Sequence, residues 1–385
     1  MTSNLGAYCE YVKGKVPVSE LTETTYISTE NMLPNKAGIT TASSLPTVDL
    51  TQAYCKGDVL VSNIRPYFKK IWQAKYDGGC SNDVLVFRAK DGIDQDFLYY
   101  ILADDKFFEY AMATSKGTKM PRGDKTSIMQ YRVPCFDLAT QKKIASLLRS
   151  IDEKVEINTA INNNLEQQIE SILLSTIANS HSNRVKLGDF LYIKGRIGWK
   201  GLKKDEYLES SDYRIINGES LTKAGIDWDK AGYITKERYD ESPEIMLTEG
   251  DILLSKDGTI GKIGFIDSLE TPTTVASGIF VIRNQQPEII STTFIYYLLK
   301  SKLFSSFIAA RTEGSVIPHL YQKDFMQFEF PMPSQDEMKS FGELTDPMFA
   351  LITQNLHENK RLASIRDNFL PRLMNGEIDI SDVYI

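Results

Sequence analysis

The chain has 385 residues, 42% hydrophobic and 25% charged, with a formal net charge of -7. This is the composition of a globular protein of two or three domains, and it excludes collagen-like, disordered and disulfide-framework classes. No run approaches the ~18 apolar residues of a membrane span, and Met1-Thr-Ser-Asn-Leu-Gly6 lacks the basic start and apolar stretch of a signal peptide, so a cytoplasmic protein without membrane contact is expected. The four cysteines, Cys9, Cys55, Cys80 and Cys135, show no C-x-x-C spacing and read as buried free thiols.

In chain order, residues 1–138 alternate short β-rich runs, such as Asp58-Val-Leu-Val-Ser62 and Asp83-Val-Leu-Val-Phe87, with turn residues and one apolar helix near Asp96–Ala113. Residues 139–180 follow as a long helix, from about Thr140 to Ile177. Ile144, Leu148, Ile151, Val155, Asn158, Asn162, Leu165, Ile169 and Ile172 fall at alternating spacings of four and three, the seam of a coiled coil. At ~1.5 Å per residue such a helix is on the order of 55 Å long. Residues 184–333 repeat the α/β order, and residues 334–373 form a second helix with Met348, Ile352, Asn355, Asn359, Leu362 and Phe369 on its seam, closed at Pro371. An acidic tail, residues 374–385, is assigned to subunit contact or disorder.

The second half is a copy of the first. Phe97-Leu-Tyr-Tyr100 returns as Phe294-Ile-Tyr-Tyr297 at an offset of 197, which also carries Gly117 onto Gly314, Pro134 onto Pro331, Asn158 onto Asn355 and Asn162 onto Asn359. Upstream, Gly57-Asp-Val-Leu60 matches Gly250-Asp-Ile-Leu253 at an offset of 193, and Phe87-Arg88 matches Ile282-Arg283 at 195. The period is far longer than that of a solenoid. The expected fold is therefore mixed α/β: two globular domains separated by two long antiparallel coiled-coil helices with internal pseudo-two-fold symmetry, the helices acting as a ruler. Polar residues at seam positions fix register and partner.

Charge is unevenly spread. Residues 1–140 carry 16 basic and 16 acidic groups and residues 181–333 carry 19 and 21, whereas residues 334–385 carry 5 and 9. Near-neutral domains can present a basic face but bind phosphate weakly on their own. The three histidines, His181, His319 and His357, are scattered, and no metal-ligand spacing, phosphate-wrapping loop or methyl-transfer tetrad is found. Gly258-Thr-Ile-Gly261-Lys262 lacks the spacing of a nucleotide loop and reads as a tight turn between strands.

What remains are basic, polar and aromatic residues bunched in loops. In the first copy they are Lys13, Lys15, Asn63, Arg65, Tyr67, Lys69, Lys70, Lys116, Lys119 and Arg122; in the second, Lys194, Arg196, Trp199, Lys200, Lys203, Lys256, Asp257, Thr259, Lys262, Arg311, Ser315 and His319. Arg and Asn can pair bidentately with guanine and adenine edges, Asp can accept from cytosine, and Lys neutralises phosphates. Two such sets at related points of a repeat point to DNA recognition without catalysis. The competing readings are a protein-binding scaffold without DNA readout, motivated by the acidic charge and the coiled coil, and an independent nuclease resting on scattered acidic loop residues.

The layout resembles the specificity subunit of type I restriction-modification systems. The residues that carry the likeness are Lys186-Leu-Gly-Asp189, Gly57-Asp-Val-Leu-Val-Ser-Asn-Ile-Arg65-Pro66, Gly250-Asp-Ile-Leu-Leu-Ser-Lys-Asp-Gly-Thr259, and Val133-Pro134 and Phe330-Pro331 leading into the two helices. The resemblance implies a non-catalytic reader in which each globular unit is a target recognition domain for one half of a split asymmetric DNA site. It also implies partners: two modification subunits carrying S-adenosylmethionine, and restriction subunits using ATP and magnesium, with no cofactor in this chain.

Overall fold

In the computed structural model, residues 2–180, 184–197, 201–312, 319–378 and 380 are described. The chain divides into two compact units, residues 1–158 with 357–385, and residues 159–356. Each unit thus holds one copy's globular part together with one stretch of each long helix.

The first unit is built on a four-stranded antiparallel sheet in the order Cys9–Tyr11, Val84–Ala89, Val59–Ser62, Ile71–Gln73. The second unit has the same order in its own strands: Leu191–Gly195, Ile279–Asn284, Ile252–Ser255, Ile263–Phe265. The central strands are apolar on both faces because each face meets a different core. Val59 and Val61 point into the cluster that contains the helices, while Leu60 enters a separate cluster with Ile27, Tyr54 and Trp72. Ile252 and Leu254 are likewise separated from Leu253. Alternation is present in the backbone and absent from the polarity pattern, because neither face is wet.

An ion pair anchors each central strand. Asp58 is 1% exposed and receives Nε and a terminal nitrogen of Arg88 at 2.8 and 2.7 Å, while its own carboxylate caps the amide of Cys55 at 2.7 Å. Asp251, fully buried, repeats this with Arg283 at 2.7 Å on both oxygens and the Thr248 amide at 2.8 Å. Gly57 and Gly250 precede them at φ 93° and 89°, a left-handed conformation that favours glycine.

The apolar segment after each sheet is two helices instead of the single one expected. Gln95–Ala103 and Asp105–Ala113 are separated by Asp104, whose backbone is extended and whose carboxylate accepts from the Lys106 amide. A side chain that caps the next helix competes with continuing the previous one.

The long helices span Leu138–Asn179 and Gln335–Met374. In the first unit they run antiparallel, with Asp152 opposite Arg366 and Asn158 donating to Asn359 at 2.9 Å. In the second unit Asn355 donates to Asn162 at 2.8 Å and Asn162 to the Ile352 carbonyl at 3.1 Å. Asn158, Asn162 and Asn355 are at least nine-tenths buried, so the asparagines occupy the seam as the spacing suggests. Three expectations for the second helix need correction. It continues through Pro371 to Met374 and stops in a Schellman turn, with Gly376 at φ 72°, its amide bonded to Leu373 and the Glu377 amide to Arg372. Phe369 is 38% exposed and Leu370 is buried in its place, because a straight helix drifts by ~20° per heptad and the stripe steps to the next residue. The acidic tail is partly core, since Ile380 is buried and Ile378 packs against the same cluster as Leu370 and Leu373.

Cys9 and Cys80 are buried, and burial pushes each thiol up to about 12, whereas Cys55 and Cys135 are exposed; burial therefore holds for two of the four free thiols. At pH 8 a thiol reagent should titrate Cys55 and Cys135 quickly and reach Cys9 and Cys80 only after denaturation; four rapid equivalents would contradict the core described. Asp251→Ala should lower stability by about 3 kcal/mol in urea unfolding, since it leaves Arg283 beside a buried void without its partner. A loss below about 1 kcal/mol would show that the clamp is dispensable.

Candidate nucleic-acid interface

Two loops of the first unit are zipped together by their backbones. The loop after the central strand, from Asn63 to Lys70, lies against a small hairpin closed by mutual Lys116 and Arg122 backbone bonds at 2.9 and 3.0 Å. Gly123 donates to the Asn63 carbonyl at 3.1 Å, Arg65 donates to the Pro121 carbonyl at 2.8 Å, and Ile64 bridges Arg122. The sequence clusters around Arg65 and Arg122, some 57 residues apart in number (122 less 65), are therefore one surface. The second unit repeats the junction: Leu320 donates to the Lys256 carbonyl at 2.9 Å and Asp257 bridges His319. With offsets of 193 and 197 these are the same four positions as Gly123, Asn63, Ile64 and Arg122. The frame is common and the side chains differ.

On the first surface, Arg65 sits at φ 52° and Lys69 at φ 50°, on either side of a helical turn over Pro66–Phe68. The Tyr67 and Phe68 rings lie 4.6 Å apart and both are exposed, by 48% and 37%. Among the described residues, the Arg65 and Lys119 side chains have no hydrogen-bond or ion-pair partner, so both are available to an outside anion. Other candidates are occupied: Lys116 by Asp124, Arg122 by Asp83 at 3.2 Å, and Lys69 by Asp105, which also holds Lys36 at 2.8 Å. Asp124 is held down to about 2 by its hydrogen bond with Lys116 and by the Ser127 amide it caps. Lys13 and Lys15 are exposed at the turn between Cys9–Tyr11 and Lys15–Pro17. A polar cleft lined by Ser28, Thr29, Asn31, Thr40, Ser81 and Asp83 borders this surface, and sequence reasoning missed it because its residues come from three segments.

Two of the candidates are engaged within the fold. The Lys70 ammonium donates to the Thr29 carbonyl at 2.6 Å, lies 5.8 Å from the Phe68 ring, and has its pKa lowered by burial, so it braces the loop from within. Arg196 is 2% exposed and donates to the Val275 carbonyl at 3.0 Å and to Thr274 and Ser242 at 3.4 and 3.5 Å; burial, with Arg238 nearby, lowers its pKa. A buried guanidinium satisfied by backbone and hydroxyls belongs to the second unit's interior and is closed to DNA.

On the second surface, Ser255 donates to the Thr259 carbonyl at 2.7 Å and accepts from the Lys262 amide at 2.8 Å, which folds the glycine-bearing segment into the expected turn between strands. Thr259 is exposed, the Lys262 ammonium is bound to the Gly218 carbonyl at 2.7 Å, and Lys256 lies 5.1 Å from the Phe280 ring. The Asp257 carboxylate bonds His319 Nδ1, and the exposed Tyr321 ring lies 4.4 Å from the imidazole. Tyr321 was not anticipated; the signal was its position, which matches Asp124 at the same offset. Arg311 lies 3.6 Å over the Phe307 ring, Lys194 is 5.9 Å from Tyr192, and Lys203 is exposed. Arg214, also missed, is held between Trp228 and Tyr233. Trp199, Lys200 and Ser315 lie outside the described residues. Among the described residues no three His, Cys, Asp or Glu side chains are grouped to hold a metal ion, and no helix is long and apolar enough to cross a membrane.

The arrangement has known counterparts. The MjaVIII type I restriction enzyme specificity subunit of Methanocaldococcus jannaschii is 22% identical over 98% of this chain and 93% of its own length. The HindI specificity subunit of Haemophilus influenzae is 24% identical over 92% of this chain and 94% of its own. The crystal structure of a type I restriction-modification S subunit from M. genitalium shares the fold, with a TM-score of 0.61 at 20% identity, covering 97% of this chain and 96% of that one. The model of the type I restriction modification DNA specificity domain matches twice, at residues 1–167 and 179–365. With nearly its whole length matched, the chain belongs to the type I restriction modification DNA specificity domain family.

Proposed function

We propose that this chain is the sequence-reading subunit of a type I restriction-modification complex, that each loop pair reads one half of a bipartite asymmetric DNA site, and that the chain itself performs no catalysis. The observation that carries this reading is the backbone junction present twice with different side chains on it: Ile64 and Arg122 in one unit, Asp257 and His319 in the other. A constant frame with unlike tips is what two half-sites of different sequence require. The long helices would dock two modification subunits, which would bring S-adenosylmethionine and methylate adenine. Restriction subunits with ATP and magnesium would complete the assembly.

In the first unit, Arg65 is the reading candidate and Lys119 the phosphate candidate, both without a side-chain partner among the described residues. Arg65→Ala should cost about 1–3 kcal/mol on the cognate site and little on random DNA. Lys119→Ala should weaken all sequences alike and reduce the salt slope by about 1. Lys70→Ala should leave the salt slope unchanged and instead lower stability by about 1 kcal/mol, through the lost bond to Thr29. Equal losses on cognate and random DNA for Arg65→Ala would remove that residue from base readout.

The decisive experiment is single-molecule sequencing of adenine methylation in cells expressing the modification partner, with and without this chain. A split motif that vanishes on deletion is the expected result; unchanged methylation would overturn the reading. Exchanging residues 1–138 for those of a relative should alter one half of the motif and leave the other intact.

A further inference from the structure

The repeat invites a hazard. If the two copies were equivalent along their helices, the first copy of one chain could pair with the first copy of another as readily as with its own second copy. We infer that a set of unlike side-chain pairs prevents this, so that residues 1–180 fit residues 184–385 and neither part fits a second copy of itself.

Within the first unit, Asp152 of the first long helix accepts from the Tyr100 hydroxyl at 2.7 Å and from Arg366 of the second long helix at 2.8 Å. The carboxylate and guanidinium side chains are only 13% and 19% exposed. At the offset of 197, Tyr100 becomes Tyr297, Asp152 becomes Phe349 and Arg366 answers to Ile169. In the second unit those positions are apolar: the Tyr297 and Phe349 rings meet edge to face at 5.9 Å, and Ile169 is fully buried in the same cluster. The Tyr297 hydroxyl, which in the other copy would have a carboxylate, has no hydrogen-bond partner among the described residues.

The rim repeats the contrast. Lys154 pairs with Glu358 at 3.4 Å in the first unit, and the equivalent residues of the second are Leu351 and Ile161, 41% and 40% exposed. A third pair reverses the sense: Lys300 meets Glu166 at 2.9 Å in the second unit, where the first unit has Ala103 and Ala363.

Pairing like with like in the same register would set Asp152 against Ile169 and Lys154 against Ile161, twice per pair of first copies. For the second copies it would set Arg366 against Phe349 and Glu358 against Leu351. Each arrangement buries a charge without its counter-ion, the costly half of a broken buried ion pair. The asparagine pair itself would recur, because Asn158 would meet Asn162 in a pair of first copies as it meets Asn359 now, and only its second acceptor, Glu358 at 2.7 Å, would give way to Ile161. Asparagine sets register, and the charge pairs set partner.

The test uses the whole chain with a protease site inserted after Ser180 and cleaved in the folded protein, followed by native mass spectrometry after incubation. The expected species is one N-terminal with one C-terminal fragment, with like pairs on the order of 100-fold rarer. The symmetrised variant Asp152→Phe, Arg366→Ile, Lys154→Leu, Glu358→Ile, Glu166→Ala, Lys300→Ala, which removes all three unlike pairs, should release like pairs at comparable abundance. Like pairs already abundant in the unsubstituted protein, fragments that part altogether, or a symmetrised variant that stays exclusive would each overturn the inference. In the uncut chain, thermal unfolding gives an independent check: Arg366→Ile should lower the midpoint and Asp152→Phe with it should restore most of the loss. Additive effects would show that the two groups are not coupled.

Discussion

Both loop pairs hang from one interaction, the buried aspartate clamped by an arginine from the neighbouring strand. Asp58 and Asp251 stand immediately before the central strand, and Arg88 and Arg283 reach them from the adjacent strand. A carboxylate at 1% exposure or less cannot tolerate the loss of its cation, so strand register and ion pair are fixed together. Register then carries along the strand to Ser62 and Ser255, opposite Val84 and Ile279, where the loops of the backbone junction leave the sheet. A slip of one residue would exchange the two apolar faces and misplace the loop at the same time.

Above this clamp the units separate into what must match and what need not. Sheet order, clamp, positive-φ glycine and loop junction are common to both. The second sheets are not: the first unit has four strands including Lys15–Pro17 and Leu50–Tyr54, and the second has three, Gly232–Ile234, Tyr213–Ile216 and Thr273–Val275. Most of the strands that differ precede Gly57 and Gly250, in the part of each unit upstream of the clamp.

The sequence made the repeat legible because the residues that recur are those the backbone depends on. Gly57-Asp58 and Phe87-Arg88 recur as separate motifs in the sequence and are two ends of the same ion pair in the fold. The seam asparagines were legible for a similar reason, since a polar residue at an apolar period has few roles. Cations were the weak point. Nothing in the local sequence distinguishes Arg65, whose side chain has no partner among the described residues, from Lys70, which braces a loop through Thr29, or from Arg196, which is buried against Val275. Those distinctions come from segments distant in the chain, and a lysine or arginine has the reach to satisfy either. The same blindness to tertiary partners placed a helix end at Pro371 and left Ile378 and Ile380 outside the core.

Backbone strain separates the cations further. Lys69 and Arg65 both adopt a left-handed conformation that costs an L-residue on the order of 1–2 kcal/mol. For Lys69 the compensation is internal, since its ammonium is bound to Asp105 and its carbonyl accepts from the Lys36 amide at 2.9 Å. Arg65 has its amide secured on Pro121, but no side-chain partner among the described residues offsets its strain. The equivalent position in the second unit is Gly258, at φ 65°, where the same turn is made without strain and without a side chain. Glycine would thus serve the turn better in both units, and within the first unit no side-chain contact among the described residues accounts for an arginine at this point.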